Sequence, residues 1–106
     1  MHNPYRGGTW DVWYSGKRDL WVEYKFIVLP VRDATVINLG LSELQLKWGR
    51  DRFEEGRNLA VIVGCKDGGI PFTNLGWERP ITSGEFRSLI AARHQIANFI
   101  THSTGI

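Results

Sequence analysis

Three ionisable residues stand at a spacing that chemistry can use: Asp11, Glu23 and Lys25. Glu23 and Lys25 are two apart, so in an extended strand both point to one face. An antiparallel hairpin centred on Lys17 sets Asp11 opposite Glu23 and Trp13 opposite Trp21, and directly opposed residues have Cβ atoms about 4.5–5.5 Å apart. Two carboxylates so placed repel each other. A divalent cation removes the repulsion; magnesium takes oxygen ligands and is commonly held by one or two carboxylates completed by water and substrate phosphate. The Tyr24 carbonyl, between Glu23 and Lys25, is a further candidate ligand. Lys25 would then orient or deprotonate an attacking water, or neutralise charge developing on a phosphate. The simpler alternative is an exposed ion-pair ladder, for which carboxylate against carboxylate is a poor design.

The elements that must hold these residues follow from the pattern. Residues 1–8 read as an irregular lead-in because of Pro4, Gly7 and Gly8. Alternation begins at Thr9, turns at 15–19 and resumes over 20–28. It predicts one wholly apolar side, with Trp10, Val12, Tyr14, Leu20, Val22, Tyr24 and Phe26, and one side carrying Asp11, Glu23 and Lys25 among tryptophans. Residues 29–41 read as a loop that admits a short edge strand. Ser42 and Gln45 form a capping box, opening a helix that runs to about Glu55 and stops at Gly56. Gly49 inside that helix costs about 1 kcal/mol of propensity. The apolar run over 58–65 suits a strand buried on both faces. A turn over 66–69 follows, then a segment that admits a short strand near Ile70 to Thr73. Thr82 and Glu85 form a second capping box, opening a helix to about Ile100 with Phe86, Leu89, Ile90, Ala97 and Ile100 toward one side; residues 101–106 are expected to fray. The predicted fold is a single small α/β or α+β domain over 1–106, with a mixed central sheet, an antiparallel hairpin and flanking helices.

Composition narrows the classes. The chain has 106 residues, 42% of them hydrophobic and 23% charged, so it has room for one ordinary globular domain and no second one. The longest apolar run is too short to span a membrane, and the N-terminus lacks the apolar stretch of a signal peptide. A single cysteine, Cys65, excludes a disulfide framework and a multi-cysteine zinc site. Together these point to the cytoplasm. Net charge is only +2, yet nine arginines outnumber four lysines and there are five tryptophans. Arginine favours phosphate recognition and also ordinary interface ion pairs. His2, His94 and His102 are dispersed, and no metal-ligand spacing follows Met1-His2-Asn3.

Asp11, followed by Glu23-Tyr24-Lys25 on the next strand, resembles the PD-(D/E)xK nuclease motif. The stretches Gly8 to Tyr14, Leu20 to Lys25 and Leu41 to Gln45 are similar to the VRR-NUC-like branch and to phage junction resolvases. The resemblance covers roughly residues 7 to 66; Trp10 stands where a proline often precedes the aspartate, and an N-terminal acidic helix usual in the family has no counterpart in the ten residues before Asp11. It implies a restriction-endonuclease-like core and a magnesium-dependent endodeoxyribonuclease of phage or mobile-element type, with manganese as a substitute cation. Asp11, Glu23 and the Tyr24 carbonyl would hold the metal, Lys25 would act on the water, and Gln45 would assist from the helix after the motif. Cutting both strands of duplex or branched DNA takes two sites, so a homodimer or higher oligomer is expected. Lys17, Arg18, Lys47 and Arg50, with Arg52 and Arg57 nearby, are candidates for phosphate-backbone contacts, against the ordinary reading of solvated charges. Trp13 and Trp21 suit packing better than base stacking. The competing functional readings are a non-catalytic nucleic-acid-binding accessory module on the same fold, and a protein-binding structural or inhibitor module.

Overall fold

A computed structural model describes residues 7–105. The lead-in expected over 1–8 lies mostly outside them, as do His2 and Ile106. β1 (Val12–Tyr14) and β2 (Leu20–Phe26) form the expected hairpin, with Trp13 opposite Trp21 and Val12 opposite Val22. β2 then pairs in parallel with β3 (Leu59–Cys65), Glu23 lying beside Val61 and Lys25 beside Val63. Parallel neighbours need a crossover, and it is supplied by α1 (Glu43–Glu54), capped by Ser42 as expected. β4 (Gly68–Phe72) returns antiparallel to β3, giving a four-stranded mixed sheet in the order β1-β2-β3-β4. A 3₁₀ turn, Gly76–Glu78, leads to α2 (Ser83–Leu89) and α3 (Arg93–Thr104). The fold is α+β.

The sheet is covered on both sides, which is why β3 reads as an unbroken apolar run. Leu59, Val61, Val63 and Cys65 face a core shared with Trp10, Trp48, Trp77 and Phe86. Ala60 and Ile62 face the other way, with Leu20 and Val22, against Ile96, Phe99 and Ile100 of α3. The five tryptophans form one chain of ring contacts, Trp13 to Trp21 to Trp48 to Trp10 to Trp77, with centroids 5.0–6.2 Å apart.

Four expectations are corrected. The single helix expected over 83–100 is two helices, because Ala91 exchanges backbone hydrogen bonds with Gly69 on the edge of β4 (3.0 and 2.8 Å). That detour carries the chain around the sheet edge, so Phe86 and Ile100 lie on opposite faces of the sheet rather than on one side of a helix. The tail does not fray at 101. Arg18 holds it: its backbone N–H donates to the Thr104 carbonyl, and its guanidinium to the carbonyls of Ser103 and His102. The cations of long side chains suit carbonyls at a helix C-terminus; Asn58 Nδ2 also donates to the Ser103 carbonyl and the Gly105 N–H to that of His102. Trp10 leaves the face of Val12 and Tyr14, because pairing with β2 ends at Val12 and the chain bends at Asp11, turning the indole into the α1 core. Finally, the far half of the supposed apolar side is open: α3 covers Leu20 and Val22 but leaves Phe26 71% exposed.

Candidate active site

β2 presents Glu23 on the α1 face of the sheet, where it is only 1% exposed. Burying a carboxylate is costly unless donors surround it, and three do. Gln45 donates from Nε2 to Glu23 Oε2 at 2.9 Å, Lys25 Nζ lies 3.3 Å from the same oxygen, and the Asp11 backbone N–H donates to Oε1 at 3.2 Å. Asp11 itself is exposed and sits across from Glu23 at the continuation of the hairpin register. Burial pushes the Glu23 carboxyl above the usual glutamate range, the Asp11 charge adds to that rise, and Lys25 opposes it. Of the residues expected from the sequence, Glu23, Lys25 and Gln45 meet through their side chains, while Asp11 joins them through its backbone N–H and through the effect of its charge on Glu23.

Gln45 reaches Glu23 because its two amide ends are put to separate uses. Its Oε1 accepts the Ser42 N–H at 3.0 Å, and its own N–H donates to Ser42 Oγ at 3.1 Å, closing the capping box. This fixes the rotamer and aims Nε2 at Glu23. The register of α1 is held further by Trp10, whose indole N–H donates to the Gln45 carbonyl at 3.0 Å. The cap and the site are therefore one device. Gln45→Glu separates its two roles: the cap survives, but a like charge meets Glu23. Chemical denaturation should show a loss of about 1–2 kcal/mol at neutral pH that shrinks on acidification; a residue that merely caps the helix would leave stability unchanged.

Odd-numbered residues of β2 aim their backbone groups at β3, as Trp21 N–H to Asn58 and Ile27 N–H to Gly64 show. The Tyr24 carbonyl consequently faces the side from which β1 has departed, the side of Asp11. The Tyr24 ring points to the other sheet face, where its hydroxyl shares a 2.5 Å hydrogen bond with Tyr14 and burial pushes its phenol well above the ordinary tyrosine range. Only its backbone is available to the cluster. Among the described residues no three His, Cys, Asp or Glu side chains gather to hold a metal by themselves. A cation at Asp11 and Glu23 would rely on a backbone oxygen, water and phosphate for the rest of its shell, the manner in which magnesium is usually bound.

The expected phosphate-binding residues are not gathered in the cluster. Arg18 caps α3 at the hairpin end, and Lys17 is exposed beside it. Lys47 pairs with Asp51 at 2.9 Å and Arg50 with Glu78 at 2.7 Å, the latter pair raising the Arg50 pKa. Arg52 pairs with Glu55 and lies over the Trp48 ring. Exposed pairs of this kind contribute little, so phosphate can compete for Lys47 and Arg50; Arg18 has a structural task. Trp13 stacks on Trp21 at 6.2 Å yet remains 53% exposed.

In comparisons with protein-family models, with curated proteins and with solved structures, no match to this chain was found.

Proposed function

We propose that the chain is a nuclease of the PD-(D/E)xK kind, and more narrowly a magnesium-dependent DNA endonuclease of phage or mobile-element type acting as a homodimer on duplex or branched DNA. The observation that carries the reading is the convergence on Glu23: Gln45 arrives from the helix after the motif, Lys25 from the same strand, and Asp11, at the bend just before β1, through its backbone N–H. An ion-pair ladder would leave Glu23 exposed; here the carboxylate is enclosed and held in one orientation, at a cost that structure alone does not require.

Asp11, Glu23 and the Tyr24 carbonyl would hold the cation, which when bound supplies Lewis acidity at a phosphate oxygen and a more acidic water. Gln45 keeps the Glu23 carboxylate oriented toward Asp11. The Lys25 ammonium, partly open to solvent, positions the attacking water and offsets negative charge as the phosphodiester P–O bond breaks. Among the described residues no helix is long and apolar enough to cross a membrane, and the cytoplasm, with its DNA, is the expected compartment.

Calorimetric titration with magnesium and manganese tests the reading. The wild-type chain should bind the cation, and Asp11→Asn should weaken binding about tenfold or more. A wild-type chain that takes up neither ion yet binds DNA with strong salt dependence would be an accessory module on the same fold.

A further inference from the structure

The uncovered half of the α3 face forms a surface from which the proposed chemistry takes only Lys25 and the backbone of Tyr24. Two hollows, of about 790 and 370 Å³, adjoin there and share Phe26, Cys65, Lys66 and Asp67 as their common wall. The larger runs between α3 and the ends of β2 and β3; the smaller lies on the α2 side, bounded by the segment after β2, including Val28 and Val31, and by Arg87 of α2. Phe26 is 71%, Val28 89% and Val31 92% exposed, and Tyr24 adds a partly exposed ring. At roughly 150–200 Å² per large side chain these four offer on the order of 500 Å² of apolar surface, near the largest patch a monomer ordinarily shows. With the hollow walls this approaches the ~800 Å² per partner of a stable interface.

We infer that this face is the contact between two copies of the chain, related by a two-fold axis. An isologous interface must be complementary to itself, and this one carries both halves of the fit. Phe26 is a knob standing between two hollows, so a two-fold axis can seat each copy's Phe26 in the other's hollow. Lys66 and Asp67 are both exposed in the turn between β3 and β4, so each can face its opposite in the second copy; of the other charged residues lining the hollows, Lys25 is paired with Glu23 and Arg87 with Asp33, and Arg93 lies at the start of α3. A nucleic-acid strand fits less well, because Val28 and Val31 have neither a stacking face nor a hydrogen-bonding group. Phe26 points to the sheet face opposite Glu23 and is three residues along the strand, about 10 Å. Two copies joined here cover the sheet face opposite Glu23, and of the four cluster residues only Lys25 lines a hollow at the contact. The use of the paired sites for cutting two strands rests on the nuclease reading; the dimer does not.

Sedimentation velocity of the full chain, without DNA or metal, at about 10–100 μM reads this directly. The wild type should sediment as a dimer. Val28→Asp and Phe26→Asp should yield monomers with an unchanged circular dichroism spectrum; Val28 is exposed enough that its substitution cannot unfold the chain. Lys66→Asp and Asp67→Lys should each weaken association about tenfold, and the double exchange should restore it. A wild-type monomer throughout, a dimer indifferent to these substitutions, or a monomer that binds single-stranded DNA through Phe26 would overturn the inference. A monomer that still cleaves DNA would sink the dimer alone, and a dimer without any cleavage would sink the nuclease reading alone.

Discussion

Glu23→Gln should abolish metal-dependent cleavage, by on the order of 10³-fold or more, while leaving stability within about 1 kcal/mol of the parent. The two halves of this outcome have one cause. The wild-type carboxylate is enclosed, faces the Asp11 charge, and has its pKa raised by both. The amide carries no charge to desolvate and keeps one oxygen for Gln45 and Lys25, but its NH2 takes the place of Oε1 and meets the Asp11 N–H donor; the two effects oppose each other, and the change should stay within about 1 kcal/mol of the parent. The pH dependence has a definite sign. A raised native pKa means that the folded chain holds this proton more tightly than the unfolded one. Stability from Glu23 is therefore greatest below the ordinary glutamate pKa. It falls as pH rises through the window up to the raised native value, and is flat above that. Glu23→Gln should remove this descending component from the pH–stability profile. By the same shift, cation binding by the wild type should fail on acidification at a pH above the ordinary carboxylate range. A Glu23→Gln protein that cuts DNA like the parent, or one that is several kcal/mol less stable, would contradict the account of the site.

Gly49→Ala carries the second large effect, and helix propensity alone gives the opposite sign. In an isolated helix alanine is better than glycine by about 1 kcal/mol. Here a Cβ at position 49 would lie 2.4 Å from Cζ2 of Trp10, a rigid ring buried against Trp48 and Trp77. The ring cannot give way, so Gly49→Ala should destabilise the fold by about 1–3 kcal/mol. Trp10→Ala should cost about 3–5 kcal/mol. In the Trp10→Ala background the clash is gone, and Gly49→Ala should become neutral or favourable. Urea denaturation of the four proteins closes the cycle, and a coupling near zero would show that the ring and the helix do not meet as described. Because the same indole donates to the Gln45 carbonyl, this packing also sets the position of the cluster around Glu23.

The hairpin register, the Ser42 cap and the doubly buried strand were legible because each is a local rule: alternation, side-chain capping and an apolar run. Glu23 and Asp11 could be paired from sequence for the same reason. What escaped was tertiary. Gly49 looked like a propensity defect until Trp10 was placed on it, 39 positions earlier in the chain. The break between α2 and α3 falls at Ile90-Ala91-Ala92, with no proline or glycine to mark it. The only local trace is Gln95, whose side chain accepts the Ala92 N–H at 2.7 Å. The double use of Gln45 had a readable signal, since a glutamine at the third helical position keeps an amide donor that a glutamate there lacks. The arginines misled in part: Arg18 satisfies helix-end carbonyls, a task that depends on where α3 ends and that no spacing reveals.

Glu23, Asp11, Lys25 and Gln45 are proposed as a hydrolytic site for DNA. Incubating the purified chain with supercoiled plasmid and with a branched junction in magnesium or manganese, beside Lys25→Ala, tests it most directly. Nicking or linearisation that requires the metal and falls at least about 10²-fold in Lys25→Ala is the predicted result. No cleavage of either substrate with either metal, or equal cleavage by Lys25→Ala, would contradict it.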